Sequence, residues 1–408
     1  MWLKLSGAEL FVPGDFIRYF LSTSHSSITF LLTQNTCMRI VSTSYNKVFN
    51  CSDPDQWLRR ISFYTGILGQ LAENNEVISI DQINYEGSLL QNGVKYYFAG
   101  QKRKTAIFPF KKHRFIKNLK PDVVLVNGFI YPLQIIQLRL FIGKGSKIIV
   151  LHRAEKPFKN WKKYLQKLAD KCVNGYLFTS LEFGKEWIKA GIISNEGKIC
   201  EVIQASSSFR PQDKSAARAR LNIIGSPVFL WVGRLDANKD PLTVVKGFMR
   251  FLSFSPDAKL YLIYQADELL NDINALIIKE GKSENIRLVG FVDHQQMQLW
   301  YSSADFIISG SHYEGSGIAI SEAMSCGCIP VVTDILSFRK MTGPGKCGLL
   351  YPPGNDEELL SVLLQTHHAD MRIERDKTLK QFDDELSFEA ISRNIERLIH
   401  SLQQASTK

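Results

Sequence analysis

Two short stretches of this sequence gather the residue types that can handle a charged, hydroxyl-rich ligand. The first is Ser311–Pro330, SHYEGSGIAISEAMSCGCIP. An apolar run, Asp305–Ile308, reads as the end of a buried strand. The turn Glu314-Gly315-Ser316-Gly317 follows it, and then a helix with the small residues Ala319, Ala323 and Gly327. Glycines let backbone amides approach a ligand, and the amides and dipole of a helix start favour phosphate. Glu314 stands just outside this helix and Glu322 inside it, on a face with Ile318 and Ser321. Carboxylates beside a phosphate-binding turn repel anions, so they make sense there as acceptors for sugar or ribose hydroxyls. The same pattern also describes a capped helix with two exposed glutamates. The second stretch is Val232–Pro241, VGRLDANKDP, in which a strand ends at Gly233-Arg234 and Lys239 opens a helix. Both cations can converge above the carboxyl edge of a sheet, where an α/β fold places its ligand. Taken alone, each would be surface charge. Together, a phosphate-binding turn, two hydroxyl acceptors and two cations describe a nucleoside diphosphate sugar site.

The elements needed to hold these groups are legible as alternating strands and helices. In the first half the strands are Met38–Tyr45, Glu76–Asp81, Pro121–Asn127, Lys147–Leu151 and Gly175–Thr179, with helices at Gln56–Glu73, Pro132–Phe141 and Trp161–Lys171. PDVVLVN is the unbroken apolar run that a parallel strand buried on both faces requires. A polar stretch around Ser206–Ser215 is the expected linker. The alternation then restarts with strands at Pro227–Val232, Lys259–Ile263, Ile286–Val289, Asp305–Ile308 and Ile329–Val332. Helices are expected near Pro241–Phe254, Asp267–Glu280, Gln295–Ser302, Gly317–Cys326 and Glu357–Gln365. The fold class is therefore α/β, two Rossmann-like doubly wound domains facing across a cleft. The expected boundaries are 38–208 for the acceptor-side domain, 209–225 for the linker and 226–375 for the nucleotide-sugar domain. Residues 376–408 are expected to be a helical segment crossing back to the first domain.

The 408 residues carry 50 Lys+Arg against 40 Asp+Glu, a net charge of +10, and are 45% hydrophobic. This is globular composition and excludes a disordered chain. No apolar stretch is long enough, without breakers, to span a membrane. The basic excess lies in the first half. Lys102–Lys120 holds eight Lys/Arg and no acid, interleaved with Phe108, Phe110 and Phe115; Lys144–Lys171 holds nine against Glu155 and Asp170. Such segments are either solvated helix faces or a docking surface for an anionic membrane. No nucleic-acid motif accompanies them, so no nucleic acid is expected. The seven cysteines include no C-x-x-C pair, and Cys326 and Cys328 are poorly spaced for zinc. They read as reduced thiols of a cytoplasmic protein, with no signal peptide at the start.

From about Met38 onward the chain resembles a family 4 glycosyltransferase of the GT-B fold. The E-x7-E motif is Glu314 to Glu322, and G-R-L-x-x-x-K is Gly233 to Lys239. Gly290 in RLVGFV, Tyr301 with Ala304-Asp305, and Gly348-Leu349-Leu350 with Pro353-Gly354 support it. The likeness is stronger in the second half. It implies a retaining transfer from a nucleoside diphosphate sugar to a glycan or lipid-linked acceptor, with no metal and no cofactor. By the same resemblance Glu314 holds the donor sugar, Glu322 the ribose, and Arg234 and Lys239 the diphosphate. The turn Gly315-Ser316 and the amides of Gly317 and Ile318 complete the phosphate cradle beside Gly233, the backbone near Val292 reads the base, and His152 faces the sugar.

Some residues depart from that pattern. SYNKVFNCSD follows the first strand where the family has a glycine-rich loop, Ser316 replaces an aromatic residue, and Arg153-Ala154 follows His152 in place of glycine. These changes suggest an acceptor of its own. Asp53-Pro54-Asp55 spells the D-x-D of metal-using transferases, but its Pro-containing loop marks a turn. The rival readings are a nucleotide-sugar epimerase, which needs no acceptor, and an inactive nucleotide-sugar binding protein, against which the four charged donor residues argue. Residues 1–37 are expected to be a poorly structured extension, with Met38 an alternative start.

Overall fold

The computed structural model describes residues 37–99 and 107–404, together with the strands Lys4–Leu5 and Ala8–Glu9. Those two strands pair antiparallel within a separate unit, residues 1–36. The expectation for residues 1–37 otherwise lies outside the described residues, as does that for 102–106 of the first basic segment.

The amino-terminal lobe is an eight-stranded sheet. Its spatial order is Ile199–Glu201, Gly175–Phe178, Lys147–Leu151, Val123–Asn127, Arg39–Ser44, Glu76–Asp81, Val94–Phe98, Gly87–Gln91. Every adjacent pair is parallel except the last, a hairpin turned by Asn92-Gly93 at φ 49° and 74°. An Asn-Gly pair accepts the two left-handed residues that a two-residue hairpin turn demands. Val123–Val126 are fully buried, as a strand covered on both faces must be. The strand order reverses between Arg39–Ser44 and Val123–Asn127. The carboxy-terminal lobe has six parallel strands in the order Ile286–Gly290, Lys259–Tyr264, Val228–Gly233, Phe306–Ser309, Ile329–Thr333, Leu349–Tyr351. Its order reverses between Val228–Gly233 and Phe306–Ser309, and an open α/β sheet binds ligands in the crevice at such a reversal.

Some segments differ from the sequence reading, and the closing helix follows it. The helix expected over Gln56–Glu73 is two helices, Pro54–Arg60 and Ser62–Leu71, separated at Ile61. Asp53 caps the first by accepting from Asp55 N at 2.9 Å, so the Asp53-Pro54-Asp55 triplet is a helix start. The segment 209–225 contains the helix Lys214–Leu221, tied to the carboxy-terminal lobe by Lys214 and Arg218, each 2.7 Å from a different Asp305 oxygen. Beyond the second lobe, the helix Phe388–Gln404 lies on the first. Phe388 covers Gly66, leaving no room for a Cβ there, and Asn75 Nδ2 donates to Glu396 Oε1 at 2.9 Å. The chain thus crosses between lobes twice. Near the crossings Lys340 of the second lobe reaches Glu201 of the first at 2.9 Å and Glu385 at 3.7 Å.

Candidate functional site

Two loops leave the strands that flank the second lobe's reversal point: residues 234–240 after Val228–Gly233, and 310–317 after Phe306–Ser309. The two loops are bonded to each other through Asn238, and the second is also tied to Thr333 of the next strand. His312 N donates to Asn238 O at 2.8 Å, Asn238 Nδ2 to Tyr313 O at 3.0 Å, and Thr333 Oγ1 to Ser311 O at 2.5 Å. Gly310 makes the approach feasible, since a Cβ there would stand 2.5 Å from Asp240 O.

This locking brings Lys239 and Glu314 into an ion pair, and Ser311 Oγ donates to the same carboxylate oxygen at 2.9 Å. The Lys239 stem passes Gly233 at a distance that leaves only van der Waals space, 3.6 Å, for a Cβ. Asp236, which the sequence reading did not single out, orders both cations. Its Oδ2 lies 3.0 Å from Arg234 Nη2, and its Oδ1 accepts from Lys239 N at 2.9 Å. Arg234 keeps 63% of its side chain exposed, so its charge remains open to the crevice. The helix Ile318–Ser325 starts at Gly317, φ 54°, and no side chain caps it. Its first-turn N–H groups, those of Gly317 and Ile318 among them, are left for a ligand.

Glu322 has a different setting. It is 7% exposed, with Tyr301 OH donating to Oε2 at 3.0 Å and His294 Nε2 lying 2.7 Å from Oε1. The pair of exposed glutamates is therefore excluded, because Glu322 is buried and Glu314 is paired. The Glu322 hydrogen bond raises the His294 pKa above the ordinary histidine value. Half of the His294 side chain is exposed. Val292, in the loop before the helix His294–Ser303, is partly buried. Tyr301 and His294 stand 21 and 28 residues from Glu322, too far for local spacing to signal them.

On the facing lobe, His152 follows the strand Lys147–Leu151, but its ring turns inward. It packs 4.5 Å from Phe178, centroid to centroid, and near Phe183 and Trp187, and Nε2 bonds Glu155 O at 2.7 Å. Burial lowers its pKa, which favours neutral imidazole. These contacts do not bring His152 to Glu314. Phe183 and Lys156 lie against the Tyr313 ring, and the donor turn itself meets Ala154. Its carbonyl accepts from Tyr313 OH at 3.2 Å, and its Cβ would stand 2.8 Å from a Cβ on Gly315. Gly315 thus leaves space for the first lobe, with Ser316 next in the turn.

Comparisons with known proteins agree with this geometry. Residues 213–379 match the family Glycosyl transferases group 1. Alpha-D-kanosaminyltransferase of Streptomyces kanamyceticus is 26% identical over 163 residues, 39% of this chain and 42% of that protein. GDP-mannose:cellobiosyl-diphosphopolyprenol alpha-mannosyltransferase of Xanthomonas oryzae is 27% identical over 124 residues, 30% of this chain and 32% of that protein. These matches span less than half of the relatives' length. Among solved structures, Anabaena HepE in complex with UDP and glucose superposes with a TM-score of 0.65 at 14% identity, covering 89% of this chain and all of that one. The chain carries a glycosyl transferases group 1 domain at residues 213–379 and has the GT-B fold.

Proposed function

We propose that the protein transfers a sugar from a nucleoside diphosphate sugar to a glycan or lipid-linked acceptor, with retention of configuration and without a metal. The observation that carries this is the Lys239–Glu314 pair at the second lobe's reversal point, a cation and a carboxylate side by side beneath an uncapped helix start. A donor laid across the pair places its diphosphate on Lys239, Arg234 and the helix amides, and its sugar hydroxyls on Glu314. As the bond to the sugar breaks, charge builds on the departing phosphate, and fixed cations and amides stabilise it without reorganising. The acceptor's hydroxyl oxygen bonds to the anomeric carbon on the face just vacated, and the leaving phosphate oxygen takes that hydroxyl's proton. Tyr301 holds one oxygen of Glu322, and a ribose hydroxyl replaces the half-exposed His294 at the other. The Anabaena protein binds UDP and the Xanthomonas enzyme is named for a diphosphopolyprenol acceptor, and both support the substrate classes proposed. Transfer is favoured over epimerisation because the first lobe has a cavity of its own, lined by Arg153 and Glu155 on either side of Ala154, which touches Gly315 of the donor turn.

The same lobe supports a peripheral membrane position on the cytoplasmic side. The helices Phe110–Asn118, Pro132–Ile142 and Lys162–Asp170 are successive neighbours. They and their flanks expose Phe108, Phe110, Leu140, Trp161, Tyr164 and Leu168 among the exposed Lys111, Arg114, Lys117, Lys144, Lys162 and Lys167. Cations around apolar rings suit an anionic bilayer. Among the described residues no helix is long and apolar enough to cross one.

The test is a thermal-shift screen of UDP-, GDP- and ADP-sugars, where a bound donor stabilises the fold by RT ln(1 + [L]/Kd). Release of nucleoside diphosphate and the anomeric configuration of the product follow by NMR. Absence of a shift with all donors, or an inverted product, overturns the proposal.

A further inference from the structure

The first lobe has its own reversal point, and a cavity of about 340 Å³ opens there, at the carboxyl ends of Arg39–Ser44, Glu76–Asp81 and Val123–Asn127. Ser42, Tyr64, Asp81, Asn127, Arg153 and Glu155 are among the residues lining it. Arg153 is the unusual member. Its Nε and Nη2 donate to Asn127 Oδ1 at 3.1 and 2.5 Å, and its Nη1 donates to Gln204 O at 3.1 Å. The guanidinium lies 4.7 Å from the Tyr64 ring centroid. The group is thereby oriented, yet only three of its five N–H groups are spoken for.

Among the described residues no carboxylate bonds it directly, although the Glu155 charge favours it from farther off. The Glu155 carboxylate is taken by backbone, accepting from Phe129 N at 3.0 Å and Arg153 N at 2.5 Å. Asp81 accepts from Ser79 Oγ at 2.8 Å, and burial raises its pKa, which weakens it as a counter-charge. Burial also lowers the Arg153 pKa, but an arginine stays charged. A partly enclosed cation with no directly bonded anion is left under-compensated, and a guanidinium fork with free N–H groups binds an oxyanion strongly.

The cavity also adjoins the donor turn. Arg153 and Glu155 line it, while Ala154 between them touches Gly315, the neighbour of Glu314. An occupant therefore lies beside the stretch of chain that touches the donor turn. We propose that this cavity binds the acceptor, and that the acceptor unit is a single sugar carrying an oxyanion, a carboxylate or a phosphate, paired with Arg153. The inference rests on the glycosyltransferase reading. The volume is near the lower end of small-molecule pockets, about 300–1,000 Å³, which suits one sugar unit. Hydroxyls and amides at Ser42 and Asn127 and the rings of Trp57, Tyr64 and Tyr131 suit its hydroxyls and its apolar face.

Isothermal titration of the full chain tests this with glucose 6-phosphate, glucuronate and neutral methyl glucoside, each with and without saturating nucleoside diphosphate. One anionic sugar binds at least tenfold more tightly than the neutral one, and which of them binds distinguishes phosphate from carboxylate. Arg153→Gln weakens that binding at least tenfold and leaves nucleoside diphosphate binding unchanged. Should Arg153→Gln fail to fold, Arg153→Lys keeps the charge without the fork and binds the anionic sugar several-fold more weakly at an unchanged Tm. Equal binding of the neutral sugar, full affinity in the folded variant, or no anionic sugar bound by a protein that does bind nucleoside diphosphate overturns the proposal. Binding of an anionic sugar by a chain that binds no nucleoside diphosphate instead upholds the anion site and removes the glycosyltransferase reading.

Discussion

Gly310 joins the strand Phe306–Ser309 to the loop that carries Glu314, and replacing it with alanine tests how rigidly the two donor loops are registered. The position has no positive φ, so the backbone itself admits alanine. Contact decides the outcome. The new methyl would stand 2.5 Å from Asp240 O, 3.1 Å from Val244 Cγ2 and 3.2 Å from Lys239 O. A carbon-to-oxygen contact settles near 3.3 Å, so the carbonyl must retreat by about 0.8 Å. A backbone carbonyl cannot rotate aside as a flexible side-chain end can, and its retreat carries Lys239 along. Misplacing a catalytic group by about 1 Å costs on the order of 10²-fold in rate. Gly310→Ala is therefore expected to lower kcat/KM between tenfold and a hundredfold. Overpacking at this site costs about 1–3 kcal/mol of stability. The assay is steady-state release of nucleoside diphosphate alongside a melting curve. Gly145→Ala is the control: nothing lies within 4 Å of its Cβ and no positive φ is required, so activity and Tm hold or Tm rises slightly. Full kcat/KM and an unshifted Tm in Gly310→Ala would refute the reasoning, because the loops would then move independently.

Lys239→Ala and Arg234→Ala should each lower kcat/KM at least tenfold, with Lys239 the larger effect because its side chain is 22% exposed against 63%. EDTA should leave wild-type activity unchanged, and strict dependence on Mg²⁺ or Mn²⁺ would contradict a metal-free mechanism. Lys112, 8% exposed with Nζ donating to Ser44 O at 2.5 Å, has its pKa pushed down by burial from 10.5 to about 7. The unfolded chain then holds more protons between those two values, so this lysine makes stability rise with pH across that window. Lys112→Met removes that slope; denaturant titrations should show its gain over the parent shrinking from about pH 6 to about pH 10, and a constant difference would count against the shift. Vesicles of anionic lipid should sediment the protein at low salt and release it at high salt, with Trp161→Ala weaker; no sedimentation at low salt ends the membrane reading.

The strands of the second lobe were legible because runs such as FLWV and FIIS are apolar on both faces and bounded by loops rich in glycine and charge. The hairpin Gly87–Phe98 was missed although its Asn92-Gly93 turn is a local signal. Lys214–Leu221 was hidden in a polar stretch. Its helix rests on alanine and arginine propensity, an Asp213 cap and the left-handed Asn222 rather than on an apolar stripe. At the candidate site, charge and spacing singled out Lys239 and Glu314, which the fold brings together. They could not reveal that Tyr301 and His294 hold Glu322, or that Phe178, Phe183 and Trp187 enclose His152, because those contacts depend on which elements meet. The same limit concealed that Arg153 lines the first lobe's cavity with part of its guanidinium unbonded.

The double crossing of the chain bears on how the lobes move. One crossing runs from Ser206, whose N–H reaches Phe63 O at 3.2 Å, to Gln212, whose N–H reaches Ser302 Oγ at 3.1 Å. The other runs from Gln381, bonded to Met341 O at 3.1 Å, into the helix clasped over Gly66. A pair of bodies joined by one tether can drift along every axis; two tethers act like the pins of a door and leave mainly a swing. Lys340, bonded to Glu201 and Glu385, sits close to that axle and so is little strained when the door turns. The Tyr313–Ala154 contact joins the lobes at the donor turn, on segments separate from both crossings, and is placed to act as the latch.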